Sequence, residues 1–304
     1  MRGEVRMYPF FNISSRGGSA TMWLAKILNS HPLCFCIHSV EPESNPYTHP
    51  PSPELEIQKL AALREQDTSK SGPGTFGIIH RFYDTAPKTD FLKAGGSFSA
   101  IVRHPFKRIS SLFVHHFNES KILSGIPLLK GLSVYETLKE SGWITDPDDA
   151  PILMAQKEPH THAEDLFKSI CSQVLHHDMD IIQNGFDQNN IIRFEDMTSD
   201  SSHCLNWLEG VLGFRDKILV KCVEREFNNP YNIHAGLNQV STAQLFAAWP
   251  ETFKKIFFSV VISLDYEQVL TAYKGVDYEF SPEALAWVET AVALESHRQQ
   301  IFSR

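Results

Sequence analysis

Short, continuous apolar runs alternate along this chain with longer stretches of helical periodicity. Residues 8–13 (YPFFNI), 75–80 (TFGIIH), 98–102 (FSAIV) and 189–194 (NNIIRF) are the runs. Each is too short for a helix and lacks the polar alternation of a half-solvated sheet, so each reads as a buried strand. The spacing predicts helices over 21–29, 54–64, 106–117, 162–182, 201–212 and 244–273, the last interrupted near Pro250. Within 162–182, Leu166, Ile170, Val174, Met179 and Ile182 share one face; within the last stretch Phe253, Ile256, Phe257 and Val260 do. Excursions fall near 41–75, which opens with the proline-rich 41–53, near 120–160, and near 228–242. There is no internal repeat and no Gly/Ser linker. Strands alternating with helices predict one α/β domain over 1–304, with a central parallel sheet of about four to five strands and helices on both faces. Ligands in such folds sit beyond the carboxyl ends of the strands.

The segments that leave the strands are therefore where chemistry is expected. The first strand leads into SSRGGSATMWLAKILNSHP, residues 14–32, where small residues connect strand to helix. A helix start presents free N–H groups and the positive end of its dipole, which suits an anion. The nucleotide-loop pattern GxxxxGK[ST] is absent, so no loop lysine reaches a terminal phosphate. After the third run comes RHPFKRISS, with Arg103 at the strand end, Pro105 at the helix start and Ser111 about two turns on. An arginine and a hydroxyl so placed make a compact phosphate site. After the fourth comes an acidic pair in IIRFEDM.

Composition narrows the ligand. The 304 residues carry 28 Lys+Arg against 36 Asp+Glu, a net charge of −8. A general nucleic-acid surface needs a basic face, so no nucleic-acid partner is expected; one small anion needs only a few local cations. The five cysteines (Cys34, Cys36, Cys171, Cys204, Cys222) are scattered, without CxxC, as in a reduced cytoplasm. The first residues carry no secretory pattern, and no apolar run approaches the ~20 residues of a spanning helix, so no membrane association is expected. Cys34 and Cys36 read as buried thiols. The adjacent pairs His115–His116 and His176–His177 can each turn at most one ring inward. His160 and His162 are a weak metal signal, and no metal is expected.

Taken together, these segments resemble the sulfotransferases that use 3′-phosphoadenosine 5′-phosphosulfate (PAPS). The family's loop, roughly [KR]SGTxWL, is matched by Ser19-Ala20-Thr21-Met22-Trp23-Leu24, with Ala20 in place of glycine, and LNSHP is similar to its LxxHP ending. Its R[DHN]P, with a serine eight positions after the arginine, is matched by Arg103-His104-Pro105 and Ser111. Its [YF]ED is matched by Phe194-Glu195-Asp196, and its W…LGY by Trp249 to Leu264-Asp265-Tyr266, with Asp265 where glycine is usual. The resemblance spans about 9–266 and implies a P-loop-like fold binding PAPS as co-substrate, with adenosine 3′,5′-bisphosphate as product.

The resemblance also assigns roles. Arg16, Gly17, Gly18, Ser19, Ala20 and Thr21 would hold the 5′-phosphosulfate. Trp23 would stack on adenine, the alternative being an ordinary core tryptophan. Arg103 and Ser111 would hold the 3′-phosphate, and Arg193 joins the cofactor-binding set. His80 falls at the family's catalytic histidine and would take the acceptor's proton, the alternative being a histidine that merely ends a strand. The family's loop cation falls at Gly18. Arg16 is its expected replacement, with Arg81 and Lys26 as further candidates. The implied reaction moves a sulfuryl group to a hydroxyl or amine of a small-molecule acceptor. A non-catalytic nucleotide binder and a phosphoryl-transfer enzyme with a variant loop are the other readings.

Overall fold

The first apolar run becomes the middle of a sheet. In the computed structural model, which describes residues 7–15, 20–38, 53–70, 74–79, 92–113, 159–183, 190–228 and 241–291, strand β1 (Phe10–Ser14) is buried along its whole length. β3 (Thr75–Ile79) lies on one side of it and β4 (Ser97–Val102) on the other. β2 (Cys34–His38) and β5 (Ile191–Arg193) complete a five-stranded, all-parallel sheet in the order β2-β3-β1-β4-β5. Strands buried on both faces explain the continuous apolar runs. Gly77 of β3 faces Phe11 across the ladder, and a Cβ there would collide with the Phe11 ring, so glycine is required in this strand.

The helices of this part are α1 (Thr21–Asn29), α2 (Pro53–Gln66), α5 (Phe194–Ser199), α6 (Ser201–Leu212) and α7 (Lys217–Phe227). Phe11, Ile13, Ile79 and Ile101 form one core with Leu24, Ile27 and Leu28 of α1, Leu208 and Leu212 of α6, and Leu219 and Val223 of α7. α6 stops at Gly213, whose φ of 74° is the left-handed end of many helices. α7 starts at Asp216, whose carboxylate accepts from the N–H groups of Ile218 and Leu219.

These elements fall in the first of two compact units, residues 1–103 with 180–233; the second comprises 104–179 with 234–304. Among its described residues the second unit is helical. It holds α3 (described over 105–113), α8 (Thr242–Ala248), α9 (Glu251–Ser263), α10 (Tyr266–Gly275) and α11 (described over 282–291). α4 (Pro159–Gln183) lies mostly in it. Its core is aromatic. Phe106 stacks on Phe246 at 5.0 Å, Phe167 on Phe253 at 4.1 Å, and the Trp249 indole N–H donates to Ser110 Oγ at 2.8 Å. Inside it lies a buried ionic cluster. Arg108 Nη1 meets Asp178 Oδ1 at 2.5 Å, the Tyr273 hydroxyl donates to Asp178 Oδ2 at 2.8 Å, and His177 Nδ1 lies 3.3 Å from Asp178 Oδ1.

The expected elements are present with small shifts. The run at 189–194 yields only a three-residue strand, because Phe194 already begins α5. The stretch 244–273 breaks twice, after Ala248 and again at Leu264–Asp265. In α4 the inward residue of the last turn is Ile181 rather than Ile182. His177 is buried while His176 is exposed, and all five cysteines are buried and free. β2 and α7 arise from segments to which the pattern assigns no element. The excursions 41–52, 120–158 and 229–240 and the pair His115–His116 lie outside the described residues, as do the side chains of His160 and His162.

Candidate functional site

The chain leaves β1 toward β2 and leaves β4 toward β5, in opposite directions across the sheet. The reversal makes the carboxyl ends of β1 and β4 the switch point where open α/β sheets take ligands. These ends are neighbours, since Ser14 is in register with Ala100. From one springs α1; from the other emerges Arg103.

α1 begins at an alanine: Ala20 stands at the cap position with φ 53° and ψ 28°, and its methyl group offers no hydrogen bond to the helix start. The first turn contains no acidic residue. An L-residue in this left-handed conformation costs about 1–2 kcal/mol, and unpaired N–H groups at a helix start attract an anion. The alanine that departs from the family's glycine therefore sits at a position whose backbone asks for glycine. Asp265, the other such departure, also has positive φ, at 68°. Its carboxylate accepts from the N–H groups of Glu267 at 3.2 Å and Gln268 at 3.4 Å and so caps α10.

Arg103 is 2% exposed, and its guanidinium carbon lies 4.3 Å from the centre of the Phe194 ring. The aromatic residue of Phe194-Glu195-Asp196 thus provides a flat face that fixes the arginine's plane. Arg193, at the end of β5, is held by Asp196, with Nε donating to Oδ2 at 2.6 Å and Nη2 to Oδ1 at 2.9 Å. This two-pronged pair matches its charge locally.

Thr21, the first residue of α1, is buried and meets His38 at the end of β2, with His38 Nε2 2.9 Å from Thr21 Oγ1. Burial lowers the His38 pKa below its ordinary value. The hydrophobic pattern does not single out His38, because it assigns no strand to CFCIH. Once that segment is read as a strand, a histidine at its carboxyl end becomes visible.

The polar residues of α1 fasten it to α7. The Trp23 indole N–H donates to the Glu226 carbonyl at 3.3 Å, and the ring meets Phe227 edge-on at 5.2 Å. Trp23 is 6% exposed and belongs to the core of this unit. Lys26 Nζ lies 2.7 Å from Glu226 Oε2, in the last turn of α1. This corrects the expectation for Lys26: it is committed to Glu226, in the last turn of α1 and away from the helix start. His31 Nδ1 accepts from Leu33 N–H at 3.2 Å, so its Nε2 carries the proton toward Asp216 at 3.1 Å. The histidine of LNSHP therefore ties the α1–β2 turn to the cap of α7.

In the second unit, His104 accepts from Phe106 N–H through Nδ1 at 3.2 Å and faces the Glu279 carbonyl through Nε2 at 3.1 Å. It caps α3, whose first residue is Pro105. The ring nitrogen accepts from the helix start as the Oδ1 of an Asp or Asn cap would. Burial drives the His104 pKa down to about 4, only partly opposed by the bond to Glu279. Ser111 lies on α3 and is buried. Arg16, Gly17, Gly18, Ser19, His80 and Arg81 lie outside the described residues.

Among the described residues no helix is long and apolar enough to cross a membrane. No known protein-family profile matches the chain, and no curated protein shows significant similarity to it.

Proposed function

We propose that this chain is a PAPS-dependent sulfotransferase acting on a hydroxyl or amine of a small-molecule acceptor. The observation that carries the reading is the start of α1, entered through a strained Ala20 that lends it no side-chain cap, on the same sheet edge as the Phe194-backed Arg103. These residues fit a doubly anionic nucleotide. The α1 N–H groups and Thr21 suit its 5′-phosphosulfate, and Arg103 suits its 3′-phosphate. Positive φ at Ala20 and Asp265, both at the family's glycine positions, supports the register of the resemblance at two distant points of the sequence.

When bound, PAPS supplies an activated sulfuryl group on a good leaving group. The protein's contribution is position and charge. Arg103 orients the nucleotide, Thr21 and the helix start hold the transferring end, and His80 takes the acceptor's proton. Arg16 answers the charge that develops where the family has its loop cation.

Calorimetry with adenosine 3′,5′-bisphosphate and with adenosine 5′-phosphate tests the donor. The bisphosphate is expected to bind at least ~10-fold tighter, and Arg103→Ala to erase most of that difference. Equal affinities in the parent protein would sink the assignment. Mass spectrometry of PAPS incubations with an acceptor panel then tests turnover. Bisphosphate binding without sulfated product from any acceptor would favour a non-catalytic nucleotide binder.

A further inference from the structure

His38, which meets Thr21, has no part in the roles assigned so far. A hydroxyl has one proton and two acceptor sites, while the oxygens of a sulfate or phosphate only accept. If Thr21 spends its proton on His38, it has none for an anion. If His38 Nε2 donates to Thr21 Oγ1 across the observed 2.9 Å, the hydroxyl proton is released toward the helix start. The pair can thus exist in two states, and only one of them grips an anion.

Among the described residues, the titratable groups on the elements that flank β2 are accounted for by burial or by other partners. On β2 itself, Cys34 and Cys36 are thiols that burial keeps neutral, with Cys34 pushed up to about 12. β2 pairs with β3, and β3 carries no titratable side chain. α1, which also packs on β2, carries one, Lys26, and it is bound to Glu226 at 2.7 Å. In the turn between α1 and β2, His31 is bound to Asp216. Partial burial opposes a charge on His38. An anion arriving at the start of α1 works against that opposition, because it lies one hydroxyl away from the ring.

On the sulfotransferase reading, we propose that His38 is a positioning residue of the donor site: it donates to the Thr21 oxygen, turns the hydroxyl proton toward the phosphosulfate, and takes up a proton as the donor binds. The imidazolium places one positive charge one hydroxyl away from the start of α1, in a chain that has glycine at the family's cation position. It contacts the donor through Thr21, so its effect is on binding and orientation.

The test uses the intact chain and adenosine 5′-phosphosulfate, whose charge is constant from about pH 5.5 to 8.5. Calorimetry in two buffers of different ionisation enthalpy counts the protons taken up. The parent is expected to take up a substantial fraction of a proton near neutral pH and to bind about 10-fold tighter at pH 5.5 than at 8.5, the effect of a one-unit rise in pKa. His38→Gln keeps a donor near the Nε2 position but cannot titrate; it is expected to bind with no uptake and no pH dependence. Thr21→Val breaks the link from the other side and is expected to lose the uptake as well, which guards against misfolding of either variant. Uptake that persists in His38→Gln, or a parent that binds with none, overturns the role of His38 and leaves the donor reading standing. A parent that binds neither this ligand nor the bisphosphate overturns the donor reading, and the role of His38 with it.

Discussion

Replacing Ala20 by glycine removes a side chain and is expected to stabilise the protein. At φ 53° and ψ 28° the alanine Cβ crowds its own carbonyl, at a cost of about 1–2 kcal/mol. Glycine has no such cost but loses more freedom on folding, about 0.5–1 kcal/mol. The balance is a gain of roughly 0.5–1 kcal/mol, or about 1–4 °C in Tm for a chain of this size. Ala20→Val is the converse, since a β-branched residue at positive φ is a strong outlier; it should lose ~2 kcal/mol or more. Asp265→Gly is the internal control. Its φ is also positive, at 68°, but the carboxylate caps α10, so relief of strain is offset by loss of the cap, and a change within about 0.5 kcal/mol of zero is expected. Differential scanning fluorimetry, backed by urea unfolding, reads all three. Ala20→Gly should also bind adenosine bisphosphate within about twofold of the parent, because the backbone it prefers is the one already present. A glycine variant that melts below the parent, with the valine variant no worse, would refute the claim that position 20 is held at positive φ.

Three further changes probe the packing. Asp178→Ala leaves Arg108 buried without its carboxylate and should cost about 3–5 kcal/mol in urea unfolding. Burial pushes the Asp178 carboxyl up, but Arg108, then His177 and Tyr273, more than offset it, so its folded pKa lies below 3.8; stability is complete above the ordinary carboxylate range and is lost as pH falls through the folded value. A midpoint independent of pH from about 5 to 2 would contradict this. His104, at about 4 when folded against 6.5 ordinarily, is protonated first in the unfolded chain, so stability should fall as pH drops through that window. His104→Asn, which retains an acceptor for Phe106 N–H, should remove this slope, while His104→Ala should cost about 1 kcal/mol at pH 7. Asn12 is buried in β1 with both amide atoms lacking a hydrogen bond, so Asn12→Val should raise stability by about 1 kcal/mol. A comparable loss would show that the amide is not a net cost.

Hydrophobic pattern carried most of the architecture because fully buried strands and one-sided helices leave long, consistent signals. α1 and α6 were legible to their ends for that reason. β2 was not, since CFCIH is a five-residue edge strand whose two cysteines carry little strand signal. α7 escaped because KILVKCVEREF mixes charge with apolar residues closely enough to resemble surface loop; its burial comes from α1, through contacts far apart in sequence. The end of the α4 stripe slipped by one residue, as a helix of this length drifts from any fixed spacing. At the candidate site, motif letters located Arg103 and Thr21, but not what holds them. Phe194 behind Arg103 and His38 beside Thr21 are meetings of separate strand ends, and only the sheet order brings them together.

The departures from the family pattern fall into two kinds, and the distinction leads to a test of mechanism. At positions 20 and 265 the requirement is on backbone geometry, and alanine and aspartate each meet it at a modest cost. On the sulfotransferase reading, the requirement at Gly18 is for charge, which no backbone can supply in full. Lys26 is committed elsewhere, which leaves a permanent cation, Arg16 or Arg81, or a titrating one, His38. The two differ in their pH signature. His80 as base must be neutral, so kcat/KM for PAPS should rise with pH on the acid side whichever cation operates. If His38 contributes its charge, the profile should fall again on the alkaline side as His38 loses its proton, giving a bell. His38→Gln should remove the alkaline limb alone and His80→Ala the acid limb alone, with Arg16→Ala lowering the whole curve by ~10²-fold. A parent profile that rises to a plateau and stays there to about pH 9 would assign the charge to a permanent cation, Arg16 or Arg81, and refute any contribution from His38 to catalysis.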